Sequence, residues 1–228
     1  MGELVSVVTT MSEVVATAQG EDGTLFELIK EGHNWMVRVA GQMLMSSQVT
    51  DSEEALAEVA LEERFFVEEV LVGGLGLGFT LRAVLDRVPE DAVVTVAELL
   101  PTLVDWNRSY VGELADHPLR DPRCRLVIED VLDTIQGARG RFDAILLDVD
   151  NGPVALANVD NQKLYGSRGL RACYDALCPG GVLAVWSAGK NPAFERRLRK
   201  ASFDVDVVRV QATEGSAARH VIFVARRP

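Results

Sequence analysis

The sequence predicts an α/β protein: a doubly wound, seven-stranded sheet with an antiparallel last strand, preceded by a small β-strand region. Three observations lead there. From residue 69 onward, short apolar runs alternate with amphipathic segments, the pattern of a mainly parallel sheet covered by helices. One apolar run, Val70-Leu71-Val72, opens into Gly73-Gly74-Leu75-Gly76-Leu77-Gly78 and then a helix-like segment, and Glu98 ends the next apolar run. Finally, only residues 212–218 separate the last two apolar runs, too few for a crossover helix, so the final strand must reverse.

Taken in order, residues 1–50 differ from the rest. Runs at 25–30, 35–39 and 42–45 are separated by the turn chemistry of Glu31-Gly32-His33-Asn34 and Ala40-Gly41, which predicts a small antiparallel meander. Residues 51–228 form the main domain. Asp51 or Ser52 caps its first helix, whose apolar stripe is Ala55, Leu56, Val59 and Ala60. Strands are expected at 69–73, 93–97, 125–128, 143–148, 181–187, 204–210 and 219–225, and helices at 78–87, 101–115, 131–136, 162–177 and 191–201. Pro179-Gly180-Gly181 reads as the turn into the strand at 181–187.

Composition narrows the function. No apolar run among the 228 residues approaches the roughly 20 needed for a membrane helix. The N-terminus lacks the basic region of a signal peptide, and its Met1-Gly2 with Ser6 is read as a chance match to a myristoylation pattern. A cytoplasmic protein with no membrane partner is expected. Cys124, Cys173 and Cys178 read as reduced thiols, and the three histidines form no ligand cluster, so no metal is expected. A net charge of −11 argues against a nucleic-acid partner and favours a cationic or neutral small molecule.

The candidate site follows the strand ends, where open α/β sheets bind ligands. Gly74, Gly76 and Gly78 let the backbone approach a nucleoside, or simply make a tight strand-to-helix turn. Their G-x-G-x-G spacing favours an adenosyl sulfonium compound over a dinucleotide. Glu98 stands where an acid accepts from two ribose hydroxyls, unless it is merely a solvated strand end. Asp130 is placed to accept from an adenine amine and also to cap the next helix, two compatible roles. Val131 offers a backbone amide and an apolar surface to the ring. Asp148 follows three aliphatic residues; it either binds and deprotonates an attacking amine or braces a loop. Asp150 is a candidate for holding a second polar or cationic group, at the start of a long polar loop reaching Tyr165.

A seven-stranded sheet with its last strand reversed is the architecture of class I S-adenosylmethionine-dependent transferases. More narrowly, the chain resembles the spermidine synthase (polyamine aminopropyltransferase) family over nearly its whole length. The resemblance rests on Val39-Ala40-Gly41-Gln42-Met43-Leu44, Ser52-Glu53-Glu54-Ala55, the 73–78 glycine loop, Glu98, Glu129-Asp130, the stretch from Phe142 to Asp148 with Gly152-Pro153, and Cys178-Pro179-Gly180-Gly181-Val182-Leu183. It implies ribose binding by Glu98, adenine binding by Asp130, catalysis by Asp148, and a homodimer. The family's loop reads G-G-G-D-G, with an aspartate for the donor's ammonium group; this chain has Leu77 there. It also lacks the family's tyrosine near Ser52, and its later substrate-binding aromatics are absent or shortened. The expectation is therefore a transferase using S-adenosylmethionine or its decarboxylated form, moving an aminopropyl or related alkyl group to an amine-type acceptor. The alternatives are a methyltransferase and a non-catalytic adenosine-nucleoside-binding protein.

Overall fold

The computed structural model describes residues 11–20, 23–48, 50–62, 66–149, 163–211 and 219–228. The chain divides into two units, Met1–Gln48 and Val49–Pro228. In the first, β1 (Ser12–Gln19), β2 (Leu25–Glu31), β3 (Asn34–Val39) and β4 (Gln42–Ser46) make an antiparallel sheet in sequential order. Three of these strands were expected; β1 was not. None of its eight residues is buried, so it lacks the apolar alternation that marks a strand in sequence, and its ladder with β2 holds it instead. Phe26, Leu28 and Val37 are buried in this unit, and Glu27 sits opposite Arg38 with a two-bond ion pair at 2.8 and 3.0 Å.

The second unit opens with α1 (Asp51–Leu61), then β5 (Glu69–Gly73), α2 (Phe79–Leu85), β6 (Val93–Glu98) and α3 (Pro101–Trp106). It continues through β7 (Cys124–Ile128), α4 (Val131–Gln136), β8 (Phe142–Leu147), α5 (Ser167–Ala176), β9 (Leu177–Ser187), α6 (Pro192–Lys200), β10 (Asp204–Gln211) and β11 (Arg219–Arg226). The sheet order is β10-β11-β9-β8-β5-β6-β7. Strands β5 to β9 are mutually parallel, and β11 lies antiparallel between β9 and β10. The expected doubly wound sheet with a reversed last strand is thus the observed one. Successive residues of the central strands feed opposite faces. Leu71, Ile145, Leu147 and Leu183 pack with α4, α5 and α6, while Val70, Val72, Leu146 and Ala184 pack with α1 and α2. Burial on both faces explains why these strands are continuously apolar. No helix among the described residues is long and apolar enough to cross a membrane.

Two expected elements differ. The helix predicted at 101–115 is α-helical only to Trp106; a π-helical turn at Asn107–Val111 and a 3₁₀ turn at Gly112–Ala115 follow. The break is where Asn107 turns its side chain inward, donating to the carbonyls of Gly76 and Leu103 at 2.8 and 2.9 Å. The helix predicted at 162–177 is described as α5 from Ser167, and Leu177 already belongs to β9. Pro179-Gly180-Gly181 is a bulge inside that strand rather than a turn before it, with Gly180 and Gly181 exchanging backbone bonds with Arg227. Helix α1 also starts without the expected cap: its N-cap is Thr50, with no side-chain bond, and the Ser52 hydroxyl donates to Glu53.

Helix α5 supplies a test of the packing. Glycine inside a helix ordinarily costs stability relative to alanine. Here a Cβ on Gly169 would run into the carbonyl oxygens of Lys163 and Leu164. Gly169→Ala should therefore destabilise, by about 1–3 kcal/mol, read as a lower thermal unfolding midpoint. An unchanged or raised midpoint would contradict the packing.

Candidate active site

The carboxyl ends of β8, β5, β6 and β7 lie side by side, and backbone bonds continue past their ladders. Gly74 N donates to Ala97 O at 2.9 Å, and Asp148 N donates to Gly73 O at 3.0 Å. From there the chain turns into α2 through Gly74, Gly76 and Gly78, all with positive φ (90°, 53° and 96°). At Gly74 the requirement is steric as well: a Cβ would lie 2.5 Å from the Asp148 carbonyl oxygen. At Gly78 it would meet Pro118, Asn107 and Ala115 at 3.0–3.4 Å. The turn is thus tight and braced from behind by Asn107.

Glu98 is only 5% exposed. Its two carboxylate oxygens accept from Leu75 N and Leu100 N, each at 2.8 Å. Burial raises its proton affinity, and these amides oppose that rise. The strand-end acid is therefore an anchor for the glycine turn, a role that its position in the sequence did not reveal. A carboxylate has about four lone-pair sites, which leaves acceptor capacity for ribose hydroxyls. Asp130 caps α4, its Oδ1 accepting from Leu132 N at 2.9 Å. The Val131 side chain is buried, its Cγ2 2.9 Å from where a Cβ on Gly73 would stand, so it fills core beneath the site more than it lines it. Leu77 is buried at 5% exposure.

Asp148 lies just past β8. Its Oδ2 accepts from the Thr80 hydroxyl, on the first turn of α2, at 2.6 Å. Burial pushes its carboxyl well above the ordinary aspartate range, and the Thr80 bond offsets part of this. Glu53, from α1, is close enough to feel it: burial first, then the Asp148 charge, push Glu53 up to about 7. Two neighbouring half-buried carboxyls cannot both ionise cheaply, so the pair tends to keep a proton near neutrality. Asp150 and the loop after it lie outside the described residues.

Several residues here were not singled out from sequence. Glu53 is one charge among three acids at the start of an amphipathic helix, and only the packing of α1 on this face turns it inward. Thr80 and Asn107 carry no motif. Leu99 and Ile128, at the carboxyl ends of β6 and β7, are 63% and 50% exposed. Large apolar side chains left open at a sheet edge are the available surface for a flat ring, and a run of hydrophobic residues ending each strand was the only trace of them.

The turn should tolerate no side chain at its first glycine. Gly74→Ala would combine a left-handed backbone with a clash against fixed backbone. It should cost more than about 2 kcal/mol and, on the expectation from sequence that the turn receives an adenosyl ligand, abolish that binding in calorimetric titration. Wild-type stability and binding would show that the close approach is not required.

Comparison with known proteins agrees with this geometry. The family model for the spermine/spermidine synthase domain matches residues 50–207. The polyamine aminopropyltransferase of Sulfurisphaera tokodaii is 32% identical over 124 residues, which cover 53% of this chain and 40% of that protein. The match thus spans less than half the length of that relative. Spermidine synthase from Thermotoga maritima superposes with a TM-score of 0.76 at 21% identity, over 94% of this chain and 73% of that one. A spermidine synthase in complex with the transition-state analogue AdoDATO superposes with a TM-score of 0.75, also at 21% identity, over 94% and 72%. These structures share the fold, and the family model covers well over half of the sequence: the chain belongs to the spermine/spermidine synthase family.

Proposed function

We propose that this protein transfers an alkyl group, aminopropyl in keeping with its family, from an adenosyl sulfonium donor to a small amine. The observation that carries the reading is the half-buried Asp148–Glu53 carboxyl pair, with Asp148 bonded to Thr80 beside the glycine turn at the carboxyl edge of the sheet. A primary amine is an ammonium ion at neutral pH, its pKa being about 10, and it cannot attack carbon until it loses a proton. Two carboxyls that hold one proton between them offer a negative charge to attract the ammonium and a base to deprotonate it. In the transfer step the amine nitrogen forms a bond to the carbon next to the sulfonium. The carbon–sulfur bond breaks with its electron pair going to sulfur, and a neutral thioether leaves. The proton lost from nitrogen passes to the carboxyl pair and then to water. Because the sulfonium is already a good leaving group, positioning supplies most of the rate.

On this reading Leu99 and Ile128 flank the adenine, Glu98 and Asp130 hold the nucleoside, and the donor is decarboxylated S-adenosylmethionine. Leu77 gives the donor's ammonium no partner on the glycine turn. On the same reading Glu53 takes that load from α1, which changes the geometry of the tail relative to an aspartate in the loop.

The test is release of methylthioadenosine from decarboxylated S-adenosylmethionine across a panel of amines that includes putrescine. Turnover with at least one amine is expected. Asp148→Asn should retain the fold and the affinity for methylthioadenosine while lowering turnover about 10²–10⁴-fold. Were Asp148 only a loop brace, the same change would lower the melting temperature and leave turnover of the folded fraction intact.

The carboxyl pair also predicts a pH dependence. Glu53 binds its proton more tightly folded, at about 7, than unfolded, at 4.5. Its contribution is therefore fully present below pH 4.5 and is lost as pH rises to 7. The loss is on the order of 1–3 kcal/mol, and Glu53→Gln should flatten that part of the stability profile. Binding of a cationic amine should strengthen over the same rise, since the amine itself stays protonated there. A wild-type profile with no fall between pH 5 and about 7.5 would contradict the assignment.

A further inference from the structure

We propose that a pocket behind the glycine turn binds a compact oxyanion: a phosphate or carboxylate that also carries a hydroxyl or amine. The cavity measures about 280 Å³ and is bounded by Asn107, Arg108, Gly112, His117, Pro118 and Arg120. It is too small for a nucleotide and suited to a fragment the size of a phosphorylated or carboxylated three-carbon unit. Two arginines and a histidine converge on it in a chain of net charge −11. The nearby Arg82 is paired with Asp86 at 2.6 Å and Arg123 with Asp121 at 2.8 Å. Arg108 and Arg120 are paired with no acid among the described residues. Unpaired guanidinium groups facing one cavity are the usual means of recognising phosphate or carboxylate.

Asn107 gives the second half of the recognition. It is 3% exposed, and both bonds from its Nδ2, to Gly76 O and Leu103 O, fix which way the amide points. Its Oδ1 is then a buried acceptor with no partner. Buried acceptors are nearly always satisfied, so this oxygen calls for a donor, and an oxyanion alone would not supply one. A ligand hydroxyl or amine would. The backbone around the pocket is itself unusual. The π-helical turn at Asn107–Val111 brings Gly112 so close to His117 that a Cβ would lie 2.8 Å from its Nδ1, and Asp116 and His117 are both left-handed, with φ of 51° and 48°. Strain of this kind is held where a binding geometry needs it. Because Asn107 also grips the Gly76 carbonyl, an occupant of this pocket would touch the residue that braces the nucleoside turn. None of this depends on the transfer reaction proposed above.

The experiment is calorimetric titration of the whole protein with inorganic phosphate, acetate and glycerol 3-phosphate at constant ionic strength. The ring resonances of His117 would be followed by NMR against those of His33 and His220. Saturable 1:1 binding of at least one probe is expected, with His117 shifting and the other two histidines unmoved. The preferred probe distinguishes a phosphate source from a carboxylate source. Glycerol 3-phosphate should bind more tightly than inorganic phosphate if Oδ1 of Asn107 takes a hydroxyl. The double change Arg108→Gln with Arg120→Gln, at exposed positions, should leave the melting temperature unchanged and weaken binding at least 10-fold. No saturable binding, binding that leaves His117 unmoved, or wild-type affinity in the double variant would each overturn the proposal.

Discussion

The approach of β8 to the first glycine of the turn is the contact on which the site depends. Only a residue without a Cβ fits where the Asp148 carbonyl oxygen stands 2.5 Å from the Cβ position of Gly74. That fit lets the backbone bonds of β5 continue to both neighbours beyond the regular ladder, through Gly74 to Ala97 and through Gly73 to Asp148. With the strand ends locked, the Thr80 hydroxyl, on the first turn of α2, reaches the Asp148 carboxylate. Glu98 and Asn107 then fix the turn from its other sides. A looser turn would leave Asp148 on a flexible loop, where its carboxylate would be hydrated and its proton affinity ordinary.

Withdrawing two neighbouring carboxyls partly from water opposes folding, and the rest of the unit must offset it. The parallel strands do so with side chains buried on both faces, from Val70, Leu71 and Val72 through Leu146 and Leu147. Thr80 and Ser52 each give the pair one hydroxyl donor, and no arginine or lysine shares the site among the contacts that shift these two groups. A salt bridge would have stabilised the ionised forms and lowered their proton affinity. Its absence from those contacts keeps the pair basic, as the proposed removal of a proton from an ammonium would require. The same hydrogen bond between Thr80 and Asp148 thus serves as a brace and as a modest brake on basicity, so bracing and chemistry are not exclusive readings of this residue.

Much of the fold was legible in the sequence because burial on both sheet faces writes continuous apolar runs, and because the short link at 212–218 forbids a crossover helix. What escaped did so for identifiable reasons. Strand β1 is stabilised by its ladder without burying side chains, so no pattern marks it. The break after Trp106 depends on Asn107 bonding to a carbonyl thirty-one residues away, a long-range preference that overrides local helix propensity. In the site, acids at strand ends were legible from topology. Glu53 was not, because a helix of acidic and apolar residues looks the same whether one acid faces solvent or another carboxylate.

The family resemblance and the departures from it are best understood together. The fold persists at about a fifth sequence identity to the solved spermidine synthases, and in this chain the glycine turn is fixed by the close approach of β8. The loop position held by Leu77 is different: a leucine buried there contributes apolar contact, whereas an acid would need a cation to justify its burial. Replacing such an acid removes a charge from one wall of a pocket. On the function proposed above, the Asp148–Glu53 pair would supply a charge of the same sign from the end of β8 and from α1 instead of from the turn. Because an ammonium at the end of a flexible chain is held by the location of the charge more than by the identity of the residue, such a shift can preserve the chemistry while altering the length or shape of amine that fits.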